Sequence, residues 1–271
     1  MATNDPSLDP AREWASGARL AVLIDSDNTT ATLTTELLEE LAKYGALTVK
    51  RAYGDWTTQQ LAGWKDQLHR HAIQPVQQFA YTTGKNSTDS ALIIDAMDLL
   101  YSGNLDGFAI VSSDSDFTRL ATRLRESGKT VYGMGRRTTP AAFVAACDRF
   151  IYLDVLTREP VKPAVDGASG VQQPDLQQLL VKAVGETSKE DGWSNLGEVG
   201  SYIGRNIASF DPRNYGYPKL GELVRAQKYV ELKEIAGPTG FNQLWVRIRK
   251  TRKRAPAKKA SAKTGVPKNA S

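Results

Sequence analysis

Apolar positions along the first half of the chain recur in two alternating rhythms. RLAVLID (19–25) is a short continuous apolar run ending on acid, the pattern of a strand buried on both faces. Leu33, Leu37, Leu38 and Leu41 then return at helical spacing. LTVKRAY (47–53) predicts a second strand, and Leu61, Trp64 and Leu68 the stripe of the next helix. IQPVQQF (73–79) gives a weaker strand signal, and Leu92, Ala96, Leu99 and Leu100 mark another helix. GFAIVSS (107–113) predicts a buried strand, followed by Phe117, Leu120, Ala121 and Leu124 on one helix face. TVYGM (130–134) and FIYLDV (150–155) predict two further strands, with a short helix around 140–147. Strands alternating with helices predict an α/β domain: a mostly parallel sheet with right-handed crossovers and helices on both faces.

The rhythm stops at TREPVKPAVDGASGVQQP (157–174), rich in Pro, Gly, Ala and Val and without helical periodicity. A smaller unit follows. Leu176, Leu179, Leu180, Ala183 and Val184 form one helix face, Leu196, Val199, Ile203 and Ile207 a second, and Leu220, Leu223 and Val224 a third. KYVELKEI (228–235), GPTG (237–240) and FNQLWVRIR (241–249) then predict a hairpin. Three short helices closed by a β-hairpin describe a small winged helix-turn-helix. The expected division is a leader at 1–16, the α/β domain at 17–156, a linker at 157–173, the winged helix at 174–249 and a disordered basic tail at 250–271. Nothing in the linker looks able to pack, so the two units are expected to move independently.

Composition refines this picture in two ways. The net charge of +5 belongs to the tail: ten basic residues and no acid lie from Arg247 onward, which leaves −5 on the rest of the chain. The tail is expected to contact polyanions through clustered Lys and Arg. The N-terminus lacks the basic start and apolar stretch of a signal peptide, no apolar run reaches bilayer length, and the single Cys147 can form no internal disulfide. These features predict a cytoplasmic setting without membrane contact.

The acids carry the chemistry. In an open parallel sheet, ligands bind outside the carboxyl ends of the strands. Asp25 and Asp27 end the first strand, Asp114 and Asp116 follow the fourth, and Asp89 opens the third helix on the same edge. Carboxylates from three segments converging on one rim repel one another unless a cation is present. Oxygen donors without His or Cys select Mg²⁺ or Mn²⁺, which can activate water and stabilise a phosphodiester transition state. Asp and Asn after a strand are also common turn and cap residues, so Asp114 or Asp116 could serve simply as a helix cap.

LIDSDN (23–28), GKNSTDSALIIDAM (84–97) and IVSSDSDFTRLATRLRESGKTVYGMG (110–135) resemble the motifs of NYN domains, in the PIN-like ribonuclease superfamily. The resemblance covers roughly 17–156. It implies a PIN-like three-layer α/β/α fold that cleaves RNA with a divalent metal, using Asp25, Asp89, Asp114 and Asp116. Asn28 matches the family's polar residue after the first acid, while Ser26 stands where members often carry a smaller residue such as Gly. Asp27, Asp95 and Ser113 are expected around that set; Asp95, six residues past Asp89, lies about 120° away around the helix. SFDPRNYGYPKLGELVRAQKYVELKE (209–234) resembles the LOTUS or OST-HTH domain, a winged helix that implies binding of RNA, single-stranded or structured, or of a protein partner. Lys85, Arg136, Arg137, Tyr215 and Lys219 are the candidate nucleic-acid contacts.

Two other readings compete with a metal-dependent endoribonuclease. One is a non-catalytic RNA-binding adaptor on the same fold. The other is a haloacid-dehalogenase-like phosphatase, because IDSDNT (24–29) fits a D-x-D-x-T start whose first Asp is a nucleophile. That reading needs a later acidic strand end, which TVYGMG does not supply. His69 and His71, two residues apart, face different sides of a helix, and Trp56 and Trp64 read as packing residues.

Overall fold

The computed structural model describes residues 17–79, 87–157, 174–236 and 242–249. Lys85, the leader 1–16, the tail 250–271, the hairpin turn 237–240 and all but the first residue of the expected linker lie outside the described residues.

Strand β1 (Arg19–Asp25) sends Ala21 and Leu23 into one core and Val22 and Ile24 into the other, all fully buried. A strand with no solvated face needs a sheet covered on both sides. Its partners are β2 (Ala46–Gly54), β3 (Gln74–Gln77), β4 (Gly107–Val111), β5 (Thr130–Gly135) and β6 (Arg149–Tyr152), in the order β3-β2-β1-β4-β5-β6. Every neighbouring pair is parallel. Helices α1 (Thr34–Leu41) and α2 (Trp64–His71) cover one face through Leu37, Leu41 and Trp64. Helices α3 (Ser87–Tyr101), α4 (Thr118–Glu126) and α5 (Ala141–Ala146) cover the other through Leu92, Ala96, Leu120, Leu124 and Phe143. This is the expected three-layer α/β/α fold. Strand order reverses between β1 and β4, so the chain leaves those two strands toward opposite faces and opens a crevice at their carboxyl ends.

Two segments differ from their sequence pattern. FIYLDV is a strand only to Tyr152, after which Leu153–Leu156 wind into a 3-10 turn that buries Leu153, Val155 and Leu156. Periodicity cannot separate a short strand from a buried turn when every second residue is apolar anyway. IQPVQQF contributes only Gln74–Gln77, with Pro75 tolerated because β3 is an edge strand.

The C-terminal unit comprises α6 (Leu176–Thr187), β7 (Ser194–Asn195), α7 (Leu196–Asn206), α8 (Leu220–Arg225), β8 (Val230–Ala236) and β9 (Asn242–Ile248). Its sheet runs β7-β9-β8 with antiparallel pairing, the wing of a winged helix. Leu180, Ala183, Val184, Val199, Ile203, Val224 and Val246 fill its core. The carboxylate of Asp175 accepts from the N–H groups of Gln177 and Gln178, and the Asn195 side chain accepts from Gly197, closing the starts of α6 and α7.

The two units touch, in contrast to the independent movement expected from the linker. The N–H of Phe150, on edge strand β6, donates to the Ala208 carbonyl at 2.8 Å. Arg213 donates to both carboxylate oxygens of Glu40 on α1, at 2.9 and 3.0 Å. Arg137 donates to the Asn214 side chain at 3.2 Å. These contacts are polar, so apolar periodicity carries no trace of them.

Candidate metal centre

Asp25 is the last residue of β1 and is fully buried. Its Oδ2 accepts from Ser112 Oγ at 2.6 Å and from Asn28 Nδ2 at 2.8 Å, and its Oδ1 from the Asn28 N–H at 3.3 Å. Burial raises its pKa above the ordinary range, and these hydrogen bonds oppose that rise. Ser112 Oγ also accepts from the Asp114 N–H at 3.1 Å, so one hydroxyl links the β1 and β4 ends of the crevice. Gly135 keeps that link close: a side chain there would meet the Ser112 carbonyl at 2.6 Å.

Asp114 caps the 3-10 turn Ser115–Phe117, its Oδ1 accepting from the Asp116 N–H at 2.9 Å. The capping role therefore exists, and it coexists with a second one. Asp89, in the first turn of α3, brings a carboxylate oxygen to the same place as Asp114 and Asp116, all within 4.8 Å of one another. Asp89 is buried, and its pKa rises to about 6, first by burial and then by the charges of Asp25, Asp114, Asp116 and Asp27. Asp25 lies outside that trio but close enough for its charge to act on Asp89.

The remaining candidates fall in several places. Asp27 is exposed and accepts from Thr88 Oγ1 at 2.9 Å, tying the β1 loop to the start of α3. Asp95 turns away from the trio to pair with Arg51 and to accept from the Tyr53 hydroxyl. Ser113 accepts from the Arg136 N–H at 2.9 Å. The Arg136 guanidinium donates to the Asn28 carbonyl at 3.1 Å, so its charge stands at the rim. Arg137 instead pairs with Asp154 at 3.3 Å and reaches Asn214, facing the second unit. Tyr215 donates its hydroxyl to the Pro174 carbonyl at 3.0 Å and packs against Phe210, whereas Lys219 is exposed just before α8.

Sequence reasoning named Ser113 and missed Ser112. Alternation along an extended segment was the available signal, because Ser112 and Asp114 share a side that Ser113 does not. Thr88 was also missed, one residue before Asp89. Among the described residues no histidine joins the acid cluster; His71 pairs with Thr35 Oγ1 at 3.0 Å. Trp64 is core, and Trp56 donates to the Val76 carbonyl at 3.1 Å. Cys147 is a buried free thiol, its pKa pushed up to about 12 by burial. No helix among the described residues is long and apolar enough to cross a membrane.

The sequence model of the NYN domain matches residues 19–154, and that of the OST-HTH/LOTUS domain matches residues 172–240. No curated protein matches the chain. Similar solved structures include a Vibrio parahaemolyticus protein of unknown function, 18% identical over 50% of this chain and 93% of its own, with a TM-score of 0.44. An uncharacterized Nitrosomonas europaea protein is 27% identical over 36% of this chain and 92% of its own, with a TM-score of 0.28. A Chromobacterium violaceum protein is 26% identical over 33% and 97%, with a TM-score of 0.26.

Proposed function

The chain belongs to the NYN domain family, within the PIN-like nucleases, and from that premise we propose that it is a metal-dependent endoribonuclease. The observation that carries this reading is the meeting of Asp89, Asp114 and Asp116 within 4.8 Å at the crevice where strand order reverses. The donor set fits a hard divalent cation: three carboxylates, no imidazole or thiol among them, and one pKa raised to about 6 by burial and then by repulsion from neighbouring acids that a cation would relieve. Asp89, Asp114 and Asp116 would hold Mg²⁺ or Mn²⁺, with Asp25 beside them. Bound there, the ion would activate water and stabilise charge on a phosphodiester.

The chain's own groups do the rest. Asn28 and Ser112 hold the Asp25 carboxylate in one orientation. Thr88 holds Asp27 against the start of α3. Arg136 brings a positive charge to the rim, where it would meet an RNA phosphate, as would Lys85. The winged helix, through Lys219, and the basic tail would add affinity for RNA. Asp25 is a poor nucleophile for the rival phosphatase chemistry, being fully buried with Oδ2 already accepting two hydrogen bonds. Covalent phosphate trapped on Asp25 during turnover would favour that rival.

The direct test is labelled single-stranded RNA incubated with the full chain in Mn²⁺ or in EDTA. Cleavage is expected only with the metal, and Asp114→Asn should abolish it while the protein stays folded. Full activity in Asp114→Asn would refute the site. RNA bound but never cut under any metal would leave the adaptor reading. Unchanged RNA affinity in Lys219→Ala, with the tail also removed, would point the winged helix toward a protein partner.

A further inference from the structure

Arg213 is the most fully engaged cation in the contact between the two units. It lies in the segment between α7 and α8, yet its guanidinium forks onto Glu40 of α1 at 2.9 and 3.0 Å. The same group donates to Asp211 from Nε at 3.0 Å and from Nη2 at 2.6 Å. Glu40 and Asp211 are almost wholly buried, and Glu40 also accepts from Lys43 at 2.7 Å and from the Tyr44 hydroxyl at 3.2 Å. A planar guanidinium satisfied on both edges fixes orientation as well as distance. Because the two acids are buried, removing the guanidinium would leave their charges uncompensated in a poorly solvated place.

The clamp does not act alone. Ala208 accepts from the Phe150 N–H of edge strand β6, five residues before Arg213. Asn214, the next residue, accepts from Arg137, which follows directly on Arg136 at the rim of the acid cluster. A groove of about 980 Å³ opens beside this junction, lined by Arg149 of β6 together with Lys189, Arg205 and Trp245 of the winged helix. The winged helix supplies its walls apart from Arg149, so only the placing of that one cation depends on the two units staying in register. The groove carries three cations, Arg149, Lys189 and Arg205, against the single acid Glu198, a balance that suits a phosphate backbone.

We propose that Arg213 is a positioning residue: by clamping the winged helix to α1, it fixes the spacing between RNA gripped by that unit and the acid cluster that cuts it. Cuts then fall at a set number of nucleotides from the gripped segment. This rests on the endoribonuclease reading. With the clamp open, the covalent tie between the units is the chain from 157 to 174, and at roughly 3.3 Å per residue it is long enough to shift the grip by many nucleotides.

The experiment uses the full chain and end-labelled single-stranded RNAs, each carrying one photoreactive thiouridine. Crosslinking identifies the nucleotide held by the winged helix, and the Mn²⁺-dependent product ends identify the cut. In the unaltered protein the offset between the two should be a single dominant value. Arg213→Ala and Glu40→Gln should each spread that offset over several nucleotides, with total cleavage unchanged within a few fold. Small-angle scattering should report a larger radius of gyration for both variants. Glu40→Gln keeps the Arg213–Asp211 pair and side-chain volume, so it serves if Arg213→Ala folds poorly. A scattered offset in the unaltered protein, or a single offset retained in variants whose units have separated, would overturn the positioning role. Variants with unchanged scattering and unchanged offset would also overturn it. If the unaltered protein cuts nothing with Mn²⁺, the nuclease reading fails and takes the positioning role with it, whereas scattering still reports whether Arg213 holds the units together.

Discussion

Two buried carboxylates in this protein, Asp89 and Glu40, have opposite electrostatic fates. At the rim, Asp89 has other acids for neighbours, and its pKa rises to about 6. At the junction, Glu40 is as buried but meets Arg213 and Lys43, and its pKa falls to about 2. Desolvation is the largest influence in both cases and raises both values. The sign is decided by the neighbours. The junction carries its own cations and is complete as folded. The rim gathers like charges and gains most from a cation supplied from outside.

The largest expected effect breaks the junction. Arg213→Ala strands Glu40 and Asp211 in a buried place, and should cost about 3 kcal/mol of unfolding free energy at neutral pH, measured by urea titration. Arg213→Lys should recover only part of this, because an ammonium cannot fork onto two carboxylates. A cost well under about 1 kcal/mol would mean that the pair behaves as a surface contact.

The same kind of change at the rim should have the opposite sign. Asp89→Asn removes a charge from a crowd of like charges, and in EDTA at pH 8 should raise stability by on the order of 1–2 kcal/mol. It should also abolish the rise in melting temperature that Mn²⁺ gives the unaltered protein. A destabilised Asp89→Asn protein would show that the rim acids are not under strain.

Acidity separates the two groups along one axis. Asp89 has a folded pKa of about 6, above its ordinary 3.8, so folding favours its protonated form. Its contribution to stability is therefore full below about pH 4 and lost as pH rises through 6. Glu40 has a folded pKa of about 2, below its ordinary 4.5, so its contribution is present above about pH 4.5 and lost as pH falls toward 2. Melting curves in EDTA across pH should then show Asp89→Asn more stable than the unaltered protein above about pH 6 and Glu40→Gln less stable above about pH 4.5, both differences fading in acid. Mn²⁺ should erase only the Asp89→Asn advantage, and its affinity should weaken as pH falls through 6. Coincident profiles for both variants would dissolve the distinction.

The smallest effect tests how the rim is held. Ser112→Ala removes the donor to Asp25 and the acceptor for the Asp114 N–H, and should weaken Mn²⁺ binding by about tenfold or less in calorimetry. Ser113→Ala, whose hydroxyl accepts only from the Arg136 N–H among its described contacts, should leave binding nearly unchanged. Equal effects would mean that the two serines are not distinguished by side.

Much of this was legible in the residues because its causes are local or periodic. Continuous apolar runs at 19–25 and 107–113 specify strands buried on both faces, and the intervening helical stripes force parallel crossovers. That topology sends the ends of β1 and β4 to one crevice, so Asp25, Asp89 and Asp114 could be placed on one rim from order alone. Tertiary structure decided which acids actually meet. It set Asp25 apart behind Ser112 and Asn28, brought Asp89 to Asp114 and Asp116, and turned Asp95 toward Arg51 and Tyr53. It also decided that the winged helix is docked, through Arg213 and Glu40, which lie 173 residues apart. An ion pair has no period and no preferred spacing along a chain, so only the folded positions of the two side chains determine whether they become partners.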